Sequence, residues 1–214
     1  DGVDTGLNNA DFSVRCITPG TANTSAQPPC APPPGSCGDP ATWIHVIQGN
    51  GNASPLDGER AVVVEGIVVG DFQDPASALG GFFLQEEDAD IDASPQTSEG
   101  IFVYDDGLGI DVHPGDRVRV QGDVAEVSGL TQLVNVRSVV ICANDLAVTE
   151  TPLHLPVDDL GDREWYEGML VTLPQDLYAT ATQDLGRYGQ VWVSVGGRLI
   201  QPTNVVSPGP TANV

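Results

Sequence analysis

Five short runs of sequence decide the fold of this chain, and the first reads Glu59-Arg-Ala-Val-Val-Val-Glu-Gly-Ile-Val-Val-Gly-Asp-Phe72. The others are Gly81-Phe-Phe-Leu-Gln85, Gly100-Ile-Phe-Val-Tyr104, Asp116-Arg-Val-Arg-Val-Gln-Gly122 and Leu130-Thr-Gln-Leu-Val-Asn-Val-Arg-Ser-Val-Val-Ile-Cys142. The runs are short, rich in β-branched or aromatic residues and punctuated by Gly and Asp, a pattern typical of strands joined by turns. Glycines inside the runs mark bends, which favours an OB-fold-like barrel over a sandwich. We therefore expect an all-β protein.

The fourth run alternates most regularly. Val118 and Val120 are expected to point into the barrel, whereas Arg117, Arg119 and Gln121 are expected to point outward.

The segment Trp43-Ile-His-Val-Ile-Gln48 is expected to begin the barrel as a further strand. Read with a period of two, it places Trp43, His45 and Ile47 on one face. No helix pattern of convincing length is apparent anywhere in the chain.

Composition divides the chain into five parts. Residues 26–41 contain Gln27-Pro-Pro-Cys-Ala-Pro-Pro-Pro-Gly-Ser-Cys37, which predicts a semi-rigid extended connector. A second small β-rich unit follows the barrel, with strands expected at Met169–Leu173, Leu177–Thr182, Gln190–Val195 and Arg198–Gln201. The expected boundaries are 1–25 for a first module, 26–41 for the linker, 42–145 for the barrel, 146–206 for the second unit and 207–214 for an exit linker.

The charge is extreme for a chain of 214 residues. Thirty acidic residues face eight basic ones, all of them arginine, and the formal net charge is −22. This imbalance argues against a general polyanion-binding surface, because counterion release requires clustered Lys and Arg. It suits solubility in a salty or extracellular setting, or cation binding by particular loops.

The four cysteines are Cys16, Cys30, Cys37 and Cys142, an even count that fits an oxidising, extracellular compartment. Three pairings are possible. We favour Cys37–Cys142, which would clasp the two ends of the barrel, together with Cys16–Cys30, which would tie the linker to the preceding module.

No apolar run is long enough to span a membrane, and no signal peptide opens the chain. Because Asp1-Gly-Val-Asp4 begins in mid-pattern, we expect a piece of a longer secreted precursor.

An acidic loop between the second and third runs has the spacing of a calcium-binding loop. Its oxygen-bearing residues at positions 1, 3, 5, 7, 9 and 12 are Asp88, Asp90, Asp92, Ser94, Gln96 and Glu99. Alternate oxygens of this kind converge on one hard cation, and we take Asp88, Asp90, Asp92 and Glu99 as candidate Ca²⁺ ligands. Ala93 stands where such loops have glycine, and no helices flank the loop, so a solvated acidic hairpin loop is the alternative.

OB folds bind single strands through aromatic platforms and a basic groove. Phe102 and Tyr104 share a strand face, and Arg117, Arg119 and Arg137 are the arginines nearest to them in the pattern. These five residues are the candidate nucleic-acid contacts. The alternative is that the aromatic residues belong to the core and the arginines pair with surface carboxylates.

Several phrases of this sequence resemble those of the ExeM/NucH-type bacterial extracellular endonucleases. They include Ile44-His-Val-Ile-Gln-Gly-Asn-Gly-Asn-Ala-Ser-Pro-Leu56, Gly80-Gly-Phe-Phe-Leu-Gln85, Ser98-Glu-Gly-Ile-Phe-Val103, Gly115-Asp-Arg-Val-Arg-Val120, Tyr166-Glu-Gly-Met-Leu-Val-Thr172 and Gln201-Pro-Thr-Asn-Val205. The opening Ala10-Asp-Phe-Ser13 and Thr18-Pro-Gly-Thr-Ala-Asn23 look like the last strands of a lamin-tail-type β-sandwich, which would make residues 1–25 the remnant of that module.

The resemblance implies a secreted, metal-dependent nuclease acting on DNA or RNA. Its DNase I-like catalytic domain, with Mg²⁺ or another divalent ion, would be expected to follow Val214. The catalytic motifs of that domain have no counterpart in this sequence, so no catalytic residue is carried over. The chain is then expected to be an accessory region that positions the catalytic domain and binds nucleic acid or Ca²⁺. The alternative is an extracellular structural or adhesive β-protein that self-assembles or attaches to a cell surface.

Overall fold

A computed structural model describes residues 33–74, 79–105 and 107–210 of the chain. The strands are β1 (Val62–Phe72), β2 (Gly81–Gln85), β3 (Gly100–Tyr104), β4 (Arg117–Glu126), β5 (Thr131–Ala143), β6 (Thr151–Pro152), β7 (Val171–Thr172), β8 (Leu177–Ala181) and β9 (Trp192–Val195). The helices are α1 (Ile44–Gln48) and α2 (Leu185–Tyr188), and the 3-10 turns are η1 (Leu160–Tyr166) and η2 (Pro202–Asn204). The predicted lamin-tail-like remnant, residues 26–32 of the Pro-rich linker and the predicted Cys16–Cys30 bridge lie outside the described residues.

The first five strands close into a barrel in the order β1-β2-β3-β5-β4. All neighbours are antiparallel except β3 and β5, whose parallel pairing closes the barrel. A bulge in β1 between Val68 and Gly70, and another in the β4–β5 ladder between Gln121 and Asp123, mark two bends. The expected all-β fold, an OB-fold-like barrel followed by a small β-rich unit, is confirmed.

The barrel holds the hydrophobic core. Alternate residues of its strands point inward, among them Val64 and Val68 of β1, Leu84 of β2 and Val118 and Val120 of β4, each no more than 1% exposed. Ile44 and Ile47 of α1 are also fully buried and belong to this core. The helix therefore covers one part of the barrel interior.

The expected opening strand at Trp43–Gln48 is wrong, because these residues form α1. The buried residues are Ile44, Ile47 and Gln48, which have the i, i+3, i+4 spacing of one helix face, whereas Val46 is 46% exposed. Five residues are too few for a periodicity of two to be told from one of 3.6. Gly49 ends the helix at φ +64°.

Arg119 points out of the barrel core, as expected, yet its side chain is buried. Its guanidinium is 2% exposed beneath the residues that precede α1, where it donates to the carbonyl oxygens of Pro34 (2.6 Å), Asp39 (2.8 Å) and Pro40 (3.0 Å). It also pairs with Glu65 at 2.9 Å. Gln121 is likewise buried. The sequence pattern indicates which face a side chain occupies, whereas a covering segment decides whether it is buried.

A disulfide joins Cys37 to Cys142, with the two Cα atoms 5.6 Å apart. The predicted pairing is confirmed. It fixes the chain just before α1 to the end of β5.

The second unit consists of two-stranded pieces. β6 and β7 make a parallel bridge of two residue pairs, and β8 and β9 make an antiparallel hairpin. The expected strands at 169–173, 177–182 and 190–195 are each present in shorter form, whereas Arg198–Gln201 forms none. None of the helices that the structure describes has the length and hydropathy to cross a bilayer.

Candidate functional site

Aromatic side chains line the outer face of β1, β2 and β3. Phe83 and Phe102 are directly opposite each other across β2 and β3, with ring centroids 4.9 Å apart, and Phe72 meets Phe83 edge-on at 5.7 Å. Tyr104 lies on the same face, two residues from Phe102. Phe72 and Tyr104 are each 38% exposed, whereas Phe102 is 5% exposed beneath its neighbours. We call these four residues the aromatic face.

Glycines leave room for these rings. A Cβ atom on Gly70 would lie 2.9 Å from the Phe72 ring, and one on Gly80 would lie 3.2 Å from the Tyr104 ring. A Cβ on Gly81 would be 2.9 Å from the Phe102 ring and 2.0 Å from a backbone oxygen of β3. The glycines therefore let the rings lie against bare backbone, and this explains why they occur inside otherwise β-branched runs.

The candidate arginines pair with carboxylates. Arg117 and Arg119 are on β4, which is not a neighbour of β3. Arg117 lies 3.1 Å from Glu87, and Arg119 is buried beside Glu65.

Arg137 is held by Asp123 at 2.7 Å and 2.9 Å. The contact lowers the pKa of Asp123 to about 2, mainly through the Arg137 hydrogen bond, with further help from the amide of Ala61 and the side chain of Asn135. Each candidate arginine thus has a carboxylate partner.

Two of the four candidate calcium ligands, Asp88 and Asp92, accept hydrogen bonds from neighbouring residues. Asp88 accepts hydrogen bonds from the amide (2.8 Å) and hydroxyl (2.6 Å) of Thr149, which lower its pKa. Asp92 accepts from the amide of Ser94 and the hydroxyl of Thr97. Over the described part of the chain, Asp88, Asp90, Asp92 and Glu99 form no group of close ligand atoms. Calcium binding by this loop stays a prediction.

A pocket of about 420 Å³ lies between the acidic loop and the second unit. Asp88, Asp92 and Glu99 line its barrel side, and Trp165 and Tyr166 line its other side.

One predicted ligand, Glu99, belongs instead to a buried cluster with His45 and Glu86. The Nδ1 atom of His45 lies 2.8 Å from Oε2 of Glu86 and 3.1 Å from Oε2 of Glu99. The exposed fractions are 14% for the His45 side chain, 1% for Glu86 and 7% for the Glu99 side chain. One ligand atom from each residue lies within 4.8 Å of the others, which is the spacing of a candidate metal centre.

Three elements position this cluster. α1 supplies His45, and Glu86 and Glu99 follow β2 and precede β3, where the amide of Glu86 donates to the carbonyl of Glu99 at 3.0 Å. Oε1 of Glu86 accepts from the amide of Ile44 at the start of α1. Oε1 of Glu99 accepts from the amide of Asp92 at 3.0 Å.

Burial raises the pKa of Glu86 to about 9, and the adjacent carboxyl of Glu99 adds to that effect. Backbone amides of Ile44 and His45 oppose the shift only in part. Two carboxylates therefore meet in a desolvated place where both cannot be charged without a compensating cation.

His45 and Glu86 were not among the predicted metal ligands. His45 is one of three scattered histidines, and scattered histidines indicate surface or packing positions. A usable signal was that Glu86 and Glu99 flank one hairpin loop directly beyond two paired strands, which predicts that they lie opposite each other.

No protein-family model matches this chain, and no significant match to it occurs among curated proteins or solved structures.

Proposed function

We propose that this chain is the accessory region of a secreted, metal-dependent nuclease and that it holds single-stranded nucleic acid on its aromatic face. The observation that carries the proposal is the row of Phe72, Phe83, Phe102 and Tyr104 along β1, β2 and β3. In OB folds the face of the second and third strands is where oligonucleotides lie. The phrases shared with extracellular endonucleases supply the wider context.

Stacking is the chemistry that such a face offers. A base stacked on an aromatic ring contributes about 1–3 kcal/mol, and every base has a face to stack. Phe72 and Tyr104 expose the most ring surface, while Phe83 and Phe102 support them from below. Binding of this kind would be tolerant of sequence and would suit a module that feeds substrate to a catalytic neighbour.

Electrostatics would oppose the binding. The chain carries a formal charge of −22, and the arginines of β4 and β5 are engaged with carboxylates. Ordinary single-strand binding weakens steeply as salt is added, since it releases counterions. Here added salt, and divalent cations such as Ca²⁺ above all, would screen the repulsion and strengthen binding. This inverted salt dependence distinguishes the proposed mode from a basic groove.

The remaining parts of the proposal concern the whole protein. The nuclease reaction and its Mg²⁺ would belong to a DNase I-like domain, and the present region would position that domain outside the cell. Ca²⁺ held by Asp88, Asp90, Asp92 and Glu99 would order the acidic loop beside the second unit.

The test is fluorescence anisotropy with labelled single-stranded DNA and RNA, in low salt, in higher salt and with Ca²⁺. We expect measurable binding that strengthens with salt and Ca²⁺ and falls at least about tenfold in Phe72→Ala/Tyr104→Ala, the loss of about two stacked bases. Trp192→Ala is the matched control, because Trp192 is an exposed aromatic residue of the second unit, 60% exposed. Absence of binding in every condition would reject the proposal.

The second candidate function is that of an extracellular structural or adhesive β-protein. It is favoured by the apolar residues that the second unit exposes, such as Leu199 (66%), Ile200 (65%) and Trp192 (60%). Sedimentation of the whole chain over a concentration range separates the two hypotheses. Self-association that Trp192→Ser abolishes, without any oligonucleotide binding, would support the structural role.

A further inference from the structure

The geometry points to a site for a first-row divalent metal ion, of the Zn²⁺ or Mn²⁺ class, formed by Nδ1 of His45 and Oε2 of both Glu86 and Glu99. The site differs from the predicted calcium loop, with which it shares only Glu99, and it does not depend on nucleic-acid binding. Its role would be structural, because it would connect α1 to both ends of the loop between β2 and β3.

Counting hydrogens supports an ion at this place. A neutral imidazole carries at most one hydrogen on Nδ1, yet two carboxylate oxygens lie 2.8 Å and 3.1 Å from that atom. One imidazole hydrogen can satisfy only one of these oxygens, and the other then needs a carboxyl hydrogen or a metal ion. A divalent cation bound to the lone pair of neutral His45 and to two ionised glutamates would instead give a cluster with zero net charge, which is the least costly state for buried groups.

The two carboxylates are already oriented for such an ion. Each has its Oε1 atom held by a backbone amide, that of Ile44 for Glu86 and that of Asp92 for Glu99. Both Oε2 atoms are thereby directed to the same side, toward the imidazole. Hydrogen bonds of this kind to ligating carboxylates fix their direction and raise metal affinity.

The ligand set selects the class of metal. Imidazole nitrogen suits Zn²⁺ and other first-row metals, whereas Ca²⁺ and Mg²⁺ take oxygen ligands almost alone. Bonds of about 2.0–2.2 Å in a tetrahedral arrangement require ligand atoms about 3.3–3.6 Å apart. The present separations of 2.8 Å and 3.1 Å require the side chains to open by a few tenths of an ångström. Three protein ligands leave a further coordination position for water, and the 14% exposure of the His45 side chain provides a path from solvent.

Cobalt(II) titration of the whole 214-residue chain, stripped with a chelator, tests the site, because bound Co²⁺ has visible absorption that reports its ligands. We expect saturation at one ion per chain, displacement by Zn²⁺ and none by Ca²⁺. In His45→Ala the affinity should fall more than about 100-fold, beyond the loss caused by changes to groups that only support a ligand. His154→Ala, which removes an exposed histidine, is the matched control and should bind as the wild type does.

Three results would overturn the inference. They are the lack of saturable Co²⁺ absorption in the wild type, unchanged binding in His45→Ala, and loss of binding in Asp88→Asn/Asp90→Asn, which would locate the ion in the acidic loop. Circular dichroism checks that each variant is folded. Should His45→Ala not fold, Glu99→Gln keeps a side chain of the same shape, and its failure to lose affinity would equally contradict the proposal.

Discussion

The barrel and the second unit are made of similar β-rich sequence but differ in how far they bury it. Every barrel strand has two neighbours, and the core of the barrel is closed on all sides. In the second unit β8 and β9 pair only with each other, and of the side chains described after Val139 none is buried. Apolar runs therefore specify strands in both units, but closure alone converts those strands into a core.

The arginines of the barrel and of the second unit also differ in their partners. Arg117, Arg119 and Arg137 of the barrel each lie within 4.0 Å of a carboxylate. In the described part of the second unit, Arg187 instead lies over the ring of Tyr188, 5.0 Å from its centroid. The barrel thus fixes its polar groups as well as its apolar ones, and the two units should respond very differently to the same change.

The largest difference is expected from removing leucine side chains. Leu84→Ala empties a fully buried place in the barrel and should lower the free energy of unfolding by about 2–5 kcal/mol. Leu199→Ala, at a side chain 66% exposed, should change it by no more than about 0.5 kcal/mol. Urea unfolding followed by circular dichroism measures both. Equal effects would mean that the second unit has a core of its own.

Removal of the Cys37–Cys142 disulfide should lower the free energy of unfolding almost as much as Leu84→Ala does. The Cys37–Cys142 bridge spans a sequence separation of 105 residues, and the double variant Cys37→Ser/Cys142→Ser should lose about 2–4 kcal/mol. The expected loss reflects the greater freedom of the unfolded chain. Differential scanning calorimetry should show a lower transition temperature for the barrel, and an unchanged one would contradict this account.

A change where Gly100 of β3 packs against Gly168 should loosen the second unit while leaving the barrel folded. A Cβ on Gly100 would lie 2.4 Å from the carbonyl carbon of Gly168 and 2.5 Å from the amide nitrogen of Met169, so Gly100→Ala should cost about 1–3 kcal/mol of local stability. The amide of Leu170, bonded to Gln85 at 2.8 Å, should then exchange faster with deuterium. Gly186→Ala, which meets nothing within 4 Å, is the control. Equal exchange of the Leu170 amide in both variants would mean that the contact of Gly100 does not hold the second unit in place.

The smallest effect is a pH dependence that belongs to the barrel alone. The contact with Arg137 lowers the pKa of Asp123 from its ordinary 3.8 to about 2, so the stabilisation is complete above pH 3.8 and is lost as the pH falls toward 2. Asp123→Asn should lack this component. The difference between the urea midpoints of the wild type and Asp123→Asn should therefore shrink as the pH falls from 3.8 toward 2. The same difference, measured with and without Asp123→Asn in an Arg137→Met background, should be smaller at every pH. A difference independent of pH would exclude Asp123 as its source.

The strands of the barrel were predictable because each is indicated by a short, continuous stretch of sequence. Alternation in Arg117–Glu126, with glycines at bends, predicts strands and their faces without knowledge of their partners. Cys37 and Cys142 could be paired because they stand at the two ends of that pattern. The burial of Arg119 was not predictable, since it depends on a covering segment about 80 residues away in sequence.

The candidate metal centre has no local signature for the same reason. His45 is separated from Glu86 by 41 residues and from Glu99 by 54, and its element was expected to be a strand. A strand at Trp43–Gln48 would not have predicted that His45 lies beside the loop between β2 and β3. A helix of five residues gives too short a pattern to correct that error.

The disulfide also has a mechanical consequence. With Cys37 and Cys142 only 5.6 Å apart at their Cα atoms, the chain enters and leaves the barrel at one point. A pull on the residues before Cys37 and after Cys142 is carried by the covalent bond, so the strands between them cannot be unravelled from the ends while the bridge is intact. The barrel lies between the two bridged cysteines, so it can keep its fold while the segments on either side of it are stretched.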